Sequence, residues 1–293
     1  MSKPFISKNN PFNENSNDGE IFSYSYLGPK YWITWIFLGL SFIVAHLPFL
    51  VRKFLGEKIG TYLYRFSNQK KKIIKINLSL TFNNVSERDI NEITKMYFKN
   101  VGYMYMNLPS LWWKSDINIQ KTIKKHNLQL IDNILSSNQS VILLAPHTLS
   151  LDYGGRALSE YNLLSMYKPF KNSLLNWFIG KSRSKDTDKV IVYPRNKTSI
   201  KNIIRKMKKP SVLYFLADED ISPEDSIFSE FFDTNKTSLK SVSKLAKITN
   251  SKVLTCICHY DVNSDTHTFN VMEEIKNFPS GNIEEDCGKI NSA

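Results

Sequence analysis

The chain has 293 residues, 42% of them hydrophobic, which suits a globular protein with a large core. Lysine and arginine number 39 against 27 acidic residues, and the net charge of +12 favours an anionic partner such as anionic lipid or an acidic carrier protein. Nucleic acid is disfavoured, because no nucleic-acid-binding motif accompanies the basic residues. Three cysteines are too few for a disulfide framework and indicate a reducing compartment.

The amino-terminal region combines a polar tail with an apolar segment. Residues 1–28 are rich in Asn, Ser and Gly, which predicts a flexible tail. Residues 31–51 contain no formally charged side chain, and as one helix they would extend about 31 Å, near the thickness of the hydrocarbon core of a bilayer. We therefore expect a single membrane anchor over residues 29–54, with a helix lying in the membrane interface as the alternative. The basic residues that follow place the rest of the chain on the cytoplasmic side by the positive-inside rule.

Residues 55–293 predict one folded domain, which begins with helices and continues with alternating strands and helices. In the helical part, Ser86 to Asp89 resembles a capping box that opens an amphipathic helix. In the second part, apolar runs predict strands at residues 141–144, 190–192, 212–216, 253–258 and 267–271, with helices between them. This alternation predicts an α/β fold with a mixed, largely parallel sheet and flanking helices.

The stretch from Val141 to Arg156 contains a histidine just after a predicted strand. Pro146 ends the apolar run, and His147 follows in a connection of the kind that carries functional side chains. A neutral imidazole accepts a proton well near pH 7, and a carboxylate on its other nitrogen stabilises the imidazolium. Asp152 carries such a carboxylate, but on one helix the two side chains would lie about 140° apart, so they meet only across a turn. The alternative is a histidine and an aspartate that do not touch.

Two other polar clusters are candidate sites. Asp218-Glu-Asp220 follows the predicted strand at 212–216, which is a favourable position for function. Its alternative reading as the metal-binding Asp-x-Asp of a nucleotide-sugar glycosyltransferase is disfavoured, because the glycine-rich nucleotide-binding context is missing. Cys256-Ile-Cys258-His259 fits one face of a strand better than a metal site, since no second ligand cluster lies near it.

Several sequence blocks occur in an order that indicates a known family. The H-x4-D motif formed by His147 and Asp152 is followed by Tyr167-Lys168-Pro169, then by Asp218-Glu-Asp220, and then by the pair Phe231-Phe232. These blocks follow an apolar amino-terminal segment. With the blocks in this order, the chain resembles the late acyltransferases of bacterial lipid A biosynthesis, which are the lauroyl and myristoyl type of the H-x4-D acyltransferase superfamily. The resemblance extends from about Trp32 to the end of the chain.

The resemblance implies a fold like that of glycerolipid acyltransferases and a reaction at the bacterial inner membrane. A fatty acyl group would pass from the thioester of acyl carrier protein to a hydroxyl of a Kdo-bearing lipid A precursor, without cofactor or metal. His147 would be the general base, Asp152 its orienting partner, and Arg156 a positive charge for a lipid phosphate or a developing oxyanion. The resemblance also implies that the following residues bind substrate: Lys168, Asn172, Arg183, Asp218 and Asp220.

The chain departs from the family pattern at several points. Lys168 stands where an arginine is usual, Pro194 precedes Arg195 where an acidic residue is typical, and Ser222 replaces a glycine. The aromatic-Leu-His-Arg-Arg segment that ends related enzymes is also absent, which suggests a shortened gene product or an incomplete chain. Two alternatives therefore stay open, a glycerolipid acyltransferase of the lysophosphatidate type and a membrane-anchored relic that folds without catalysing.

Overall fold

The computed structural model describes residues 22–82, 84–184, 187–218, 226–232 and 234–293. Within these residues the helices, in chain order, are α1 (Trp32–His46), α2 (Phe49–Phe66), α3 (Asn68–Thr81), α4 (Glu87–Trp113), α5 (Asp116–Gln120), α6 (Gln129–Ser136), α7 (Leu151–Ala157), α8 (Ser173–Arg183), α9 (Lys197–Lys206), α10 (Ser241–Thr249) and α11 (Ile283–Ser292). The strands are β1 (Ile123–His126), β2 (Val141–Ala145), β3 (Leu163–Tyr167), β4 (Val190–Pro194), β5 (Val212–Leu216), β6 (Ser226–Phe231), β7 (Thr234–Leu239), β8 (Lys252–Asp261) and β9 (Thr266–Glu274).

The main sheet has seven strands in the order β1-β9-β8-β2-β5-β3-β4. Only β8 and β9 pair antiparallel among the described strands of this sheet, while β6 and β7 form a separate antiparallel pair. Strand β2 lies in the middle, and all five of its residues are buried because helices cover both faces of the sheet. The prediction of an α/β fold with a largely parallel mixed sheet is therefore confirmed.

The amino-terminal apolar segment differs from the single helix expected over residues 29–54. The chain leaves the helix at Leu47, before Pro48, so that α1 has 15 residues and a separate helix, α2, begins at Phe49. A proline disfavours helical geometry in the residue before it, which explains the break. At about 22 Å, α1 is shorter than a bilayer core. No helix in the described part of the chain is both long and apolar enough to cross a membrane.

Part of the predicted flexible tail has a defined conformation. Residues 1–21 lie outside the described residues, but the segment that follows forms a short 3₁₀ helix, Tyr24–Leu27. Trp35 Nε1 donates a hydrogen bond to the carbonyl of Tyr26 at 2.8 Å, and the ring of Phe22 packs edge-on against Trp177 of α8. These contacts attach the start of the described chain to both α1 and the α/β domain.

Helix α4 connects the amino-terminal helices to the sheet. It begins at the predicted capping box, where Ser86 Oγ accepts a hydrogen bond from the backbone N–H of Asp89 at 3.2 Å. One part of α4 crosses α2 with the two backbones in direct contact at Gly56, Gly60 and Gly102. Its last turn, with Leu111 and Trp112, packs against the core on one face of the sheet. Helix α4 therefore fixes the position of α2 relative to the site described next.

Candidate active site

Two neighbouring parallel strands bring His147 and Asp218 together. Strand β2 pairs with β5 in a register that places Ala145 opposite Leu216. His147 and Asp218 each lie two residues beyond these positions, so they emerge at the same edge of the sheet. The carboxyl ends of parallel strands are where open α/β sheets usually bind their ligands.

The carboxylate of Asp218 contacts His147 at two points. Its Oδ2 accepts a hydrogen bond from the backbone N–H of His147 at 2.7 Å, and its Oδ1 lies 2.5 Å from Nδ1 of the ring. An ionised carboxylate can only accept hydrogen bonds, so Nδ1 carries the hydrogen and Nε2 of the neutral ring carries the lone pair. The side chains of His147 and Asp218 are 37% and 33% exposed, which leaves the pair accessible to a substrate. This arrangement suits a histidine that accepts a proton at Nε2.

Asp152 occupies the same cavity but has a different partner. It lies in the first turn of α7, and its Oδ1 accepts a hydrogen bond from Nη2 of Arg183 at 3.3 Å. The structure thus places Asp218, rather than Asp152, on Nδ1 of His147. The orienting role expected for Asp152 stays a prediction, whereas Asp218, expected to bind substrate, lies against the histidine ring. The pairing with Asp218 depends on contact between residues 71 positions apart, which a short motif cannot reveal.

A cavity of about 240 Å³ opens beside His147 and extends beneath the sheet. Its mouth, at the carboxyl ends of the strands, is lined by His147 and Asp152 and by three basic residues, Lys168, Arg183 and Arg195. Its interior runs between the sheet and the helices, and apolar residues of β3, β4 and α4 line it: Leu111, Leu163, Val190 and Val192. The cavity is therefore cationic at one end and apolar at the other.

The three basic residues of the mouth come from different elements. Lys168 directly follows β3, and Arg195 directly follows β4, its backbone N–H donating to the carbonyl of Tyr167 at 2.9 Å. Arg183 ends α8, and its guanidinium lies 5.6 Å from the centre of the Tyr167 ring. The sequence predicted Lys168 and Arg183 as binding residues but missed Arg195. The signal that could have identified Arg195 is its position directly after β4, which is parallel to β3.

The family assignment follows from comparison with known proteins. The model of the family described as bacterial lipid A biosynthesis acyltransferase matches residues 20–293. The chain belongs to this family.

Individual relatives agree with this assignment. A lipid A biosynthesis acyltransferase of Haemophilus influenzae is 26% identical over 90% of this chain and 81% of its own length. The lipid A biosynthesis palmitoleoyltransferase of Escherichia coli is 24% identical over 88% and 84%, and the lauroyltransferase of the same organism is 27% identical over 72% and 68%. The resemblance found in the sequence is confirmed, and the protein is an acyltransferase of lipid A biosynthesis.

Arg156 lines the cavity but directs its guanidinium into the protein. Its Nη1 lies 3.2 Å from Oδ1 of Asp116, and its Nη2 donates to the carbonyls of Leu111 at 3.1 Å and Ser182 at 2.5 Å. The side chain is buried, and these bonds join α7 to α4, α5 and α8. A structural role therefore accounts for the contacts of this arginine, and its predicted action on a phosphate or oxyanion stays a prediction.

The remaining predicted residues lie outside the cavity or outside the described chain. Asn172 caps α8 by accepting a hydrogen bond from the backbone N–H of Leu175 at 3.0 Å, and its Nδ2 donates to Thr34 Oγ1 of α1 at 2.7 Å. It therefore holds the apolar helix α1 beside the segment that carries Lys168. Asp220 and Ser222 lie outside the described residues.

A second cavity lies on the other side of the segment that follows His147. It is bounded by α4 and β8 and by Thr148, Ser150 and Asp152. His267 of β9 forms its floor, with Nδ1 3.1 Å from Ser150 Oγ and its ring stacked on Tyr153 at 3.4 Å. Burial, reinforced by the nearby charge of Arg52, lowers the pKa of His267 to about 3, so the ring is neutral at physiological pH. His267 therefore packs beneath the segment that follows His147, a structural role that no residue spacing in the sequence indicates.

Proposed function

We propose that this protein transfers a fatty acyl group from the thioester of acyl carrier protein to a hydroxyl of a Kdo-bearing lipid A precursor, with His147 as general base. The observation that carries the proposal is the contact of Asp218 with Nδ1 of His147 at the mouth of a cavity that is cationic outside and apolar inside. The hydrogen on Nδ1 directs the basic nitrogen, Nε2, toward the substrate hydroxyl.

The chemical step follows from this geometry. As the hydroxyl oxygen attacks the thioester carbonyl, Nε2 of His147 takes the hydroxyl proton, and the carboxylate of Asp218 stabilises the resulting imidazolium. Collapse of the tetrahedral intermediate breaks the carbon–sulfur bond, and the imidazolium returns its proton to the departing thiolate. A positioned base of this kind is worth about 10²- to 10⁴-fold in rate. Every group in this step comes from the protein or its two substrates, so we propose that no cofactor takes part.

The basic mouth supports an anionic acceptor. Arg183 and Arg195 carry the forked donors that bind phosphate oxygens bidentately, and Lys168 adds a third positive charge at the mouth. A lipid A precursor and lysophosphatidate both present phosphate beside a hydroxyl, so the same mouth would accept either. Membership of the family favours the lipid A precursor as the acceptor. An assay in which the two acceptors compete shows which of them the enzyme uses.

The charge of the whole chain supports the proposed donor. Acyl carrier protein is acidic, and a partner of that kind would be attracted by a net charge of +12. Exposed lysines flank the mouth at Lys171 and Lys181, where a carrier delivering a thioester to His147 would have to dock.

The amino-terminal helices support binding to the cytoplasmic face of the bacterial inner membrane. Helices α1 and α2 expose large apolar side chains, including Ile33, Ile36, Leu50 and Phe54, and basic residues follow in α2 and α3. An exposed apolar surface combined with Lys and Arg fits a helix pair lying in the headgroup region of an anionic bilayer. Because Asn172 ties α1 to the cavity mouth, a lipid acceptor could move from the bilayer to His147 without crossing water.

Acyl transfer by wild type and His147→Ala tests the proposal. Purified protein in anionic vesicles receives acyl carrier protein thioester with a lipid A precursor and lysophosphatidate together, and mass spectrometry identifies the products. Acylated lipid A precursor from wild type, with a loss of about 10²-fold or more in His147→Ala, is the expected result. Equal rates in the two proteins would remove His147 from its role. Product from lysophosphatidate alone would favour the glycerolipid enzyme, and no product from either acceptor would favour the catalytically inactive relic.

A further inference from the structure

The segment that follows His147 has a cavity on each side. The central strand β2, which leads into this segment, lies between β8 and β5 in the sheet. The first cavity, of about 240 Å³, is lined by residues of β3, β4 and β5, whereas the second cavity, of about 200 Å³, is lined by residues of β8 and β9. Asp152 lines both of them, so the two cavities adjoin at this side chain.

The second cavity lies at the same edge of the sheet as the catalytic histidine. Strand β8 is parallel to β2, and Thr255 is paired with Leu144. His259 and Tyr260, which line the second cavity, come four and five residues after Thr255, so they lie beyond the carboxyl end of β2, as His147 does. A molecule in the second cavity is therefore close to His147 while another molecule occupies the first.

The lining of the second cavity favours an uncharged ligand. No lysine or arginine stands among the described residues that line it, in contrast to the three basic residues at the mouth of the first cavity. Asp152, the one acidic residue of this lining, is paired with Arg183. The cavity therefore offers no fixed positive charge to a phosphate or a carboxylate, and burial of either anion there would be unfavourable.

Two uncharged polar groups of the second cavity lack a partner within the described part of the chain. Thr148 Oγ1 is buried and forms no hydrogen bond to any described residue. His267 is 4% exposed, and its Nδ1 contacts Ser150, which leaves Nε2 without a hydrogen bond to these residues. Buried polar groups are normally hydrogen-bonded, so a ligand that bonds to these two groups would be favoured.

The rest of the lining decides which uncharged ligand fits. Met104, Leu108 and Leu149 supply apolar walls, and the hydroxyl of Tyr260 already donates to Asp265 at 2.8 Å. A sugar ring would bury several hydroxyls in this cavity, and most of them would find no partner, which is unfavourable. A hydrocarbon chain with a single hydroxyl or amide would instead bury its methylenes against the apolar walls and bond to the two unpaired groups.

We propose that the second cavity binds the acceptor through an uncharged hydrocarbon chain that carries a hydroxyl or an amide, with Thr148 and His267 as its hydrogen-bonding partners. The inference rests on the proposed function, because it requires an acceptor hydroxyl to meet a donor thioester at His147. The two substrates then approach the base from opposite sides. The acceptor phosphate reaches the basic mouth of the first cavity, because the two cavities adjoin at Asp152.

Methyl NMR of protein labelled with ¹³C at the methionine methyl groups tests binding directly. Met104 lines the second cavity and Met166 the first, so their signals report on the two cavities separately, and Met104→Leu and Met166→Leu identify them. We expect 1-octanol to shift the Met104 signal in a saturable manner and glucose at the same concentration to leave it unchanged. A shift with glucose alone, an octanol shift confined to Met166, or no shift at all would overturn the inference.

Two substitutions of Thr148 test the hydrogen bond. Thr148→Val removes the hydroxyl and keeps a branched side chain, whereas Thr148→Ser keeps the hydroxyl. At the Met104 signal we expect the valine variant to bind 1-octanol about three- to tenfold more weakly than wild type, as for one lost hydrogen bond, and the serine variant to bind nearly as well as wild type. Octanol affinity at the Met166 signal should be equal in all three proteins, and thermal melting shows that they fold. Equal affinities at Met104 would overturn the role of Thr148.

Steady-state kinetics then tests the assignment of the second cavity to the acceptor. In Thr148→Val the KM for the lipid A precursor should rise by the same factor as the octanol affinity falls, while the KM for the acyl carrier protein thioester stays as in wild type. A rise confined to the donor KM would assign the cavity to the donor and overturn the inference. Failure of the proposed function looks different, because wild type would then transfer no acyl group although 1-octanol still bound beside Met104.

Discussion

The carboxylate of Asp218 contacts both the backbone N–H and the imidazole ring of His147, although 71 positions separate the two residues in the sequence. The contact exists because β2 and β5 are adjacent and parallel, so that the residues just beyond them share one edge of the sheet. A carboxylate with two contacts restricts both the position of the backbone and the rotation of the imidazole. Such a contact lowers the entropy that must be lost before proton transfer.

Replacing Asp218 by Asn should therefore lower kcat by about 10²- to 10⁴-fold. The amide keeps the size of the side chain but removes the negative charge that stabilises the imidazolium, and its one oxygen can accept only one of the two hydrogen bonds that the carboxylate accepts from His147. Steady-state rates with a saturating donor measure the effect, and a thermal melt shows that the variant folds.

Asp152→Asn is the comparison for this prediction. It removes the ion pair with Arg183 and leaves the contacts of His147 with Asp218 in place, so the loss of kcat should be the smaller of the two. If instead Asp152→Asn abolished transfer and Asp218→Asn did not, the role of orienting the histidine would belong to Asp152, as the H-x4-D motif predicts.

The sequence was sufficient for the parts of the fold that have strong local patterns. The apolar runs at residues 141–144 and 212–216 became β2 and β5, and Ser86 caps α4 as expected. The sequence does not predict a strand at residues 163–167, because a serine interrupts the short apolar run Leu-Leu-Ser-Met-Tyr. The membrane helix was misjudged because hydropathy over residues 31–51 hides the single break at Pro48.

The candidate site could be predicted only where it is local in sequence. His147 was identified because the strand that carries it and the loop that exposes it are consecutive. The partnership with Asp218 and the place of Arg195 at the mouth depend on strand order, which one sequence without its fold does not provide. For Arg156, the contacts of the guanidinium with α4, α5 and α8 depend on the fold, so the sequence alone could not predict that this side chain is buried among them.

Arg156→Gln should destabilise the fold by roughly 3 kcal/mol. The substitution removes a guanidinium that bonds Asp116 and two backbone carbonyls, and these acceptors would lose their donors in a largely buried region. Urea unfolding followed by circular dichroism gives the free energy. A variant with wild-type stability and a large loss of kcat would instead assign Arg156 to the substrate.

Gly102→Ala should destabilise the crossing of α2 and α4 by about 2–3 kcal/mol. A Cβ at this position would lie 2.0 Å from the carbonyl oxygen of Gly56 and 2.6 Å from the backbone nitrogen of Gly60, so the two helices would have to separate. Gly180→Ala is the control, because its Cβ would meet no atom within 4 Å, and a helical alanine should stabilise by up to about 1 kcal/mol. Equal melting temperatures for the two variants would show that the helices can move apart freely.

Ile36→Ser should weaken binding to anionic vesicles on the order of tenfold if α1 lies in a membrane interface. The side chain of Ile36 is 64% exposed on the helix that Asn172 ties to the cavity mouth. Ile248→Ser is a close control, since Ile248 is 63% exposed on α10. Vesicle sedimentation at low and high salt measures both, and the electrostatic part of the binding should fall with salt. Equal losses in the two variants would argue against a specific membrane face on α1.

The buried His267, which contacts the segment that follows His147, should make stability depend on pH. Burial, together with the charges of Arg52 and His259, lowers the pKa of His267 to about 3 in the folded protein, whereas an unfolded histidine titrates near 6.5. Between these values the unfolded chain binds more protons, so stability from this group is complete above pH about 6.5 and falls as the pH drops, by about 1.4 kcal/mol per unit.

His267→Gln should remove this part of the pH dependence while lowering stability at pH 7 through loss of the stack with Tyr153. Urea unfolding at pH 6.5 and pH 5 should show that wild type loses about 2 kcal/mol more than the variant between the two conditions. His126→Gln, at an exposed position of β1, serves as the control and should retain the wild-type slope, because His126 is not among the groups that shift the pKa of His267. The same slope in wild type and His267→Gln would mean that His267 is protonated as readily in the folded protein as in the unfolded chain. In that case the folded protein would accept a positive charge on His267 beneath the segment that carries His147.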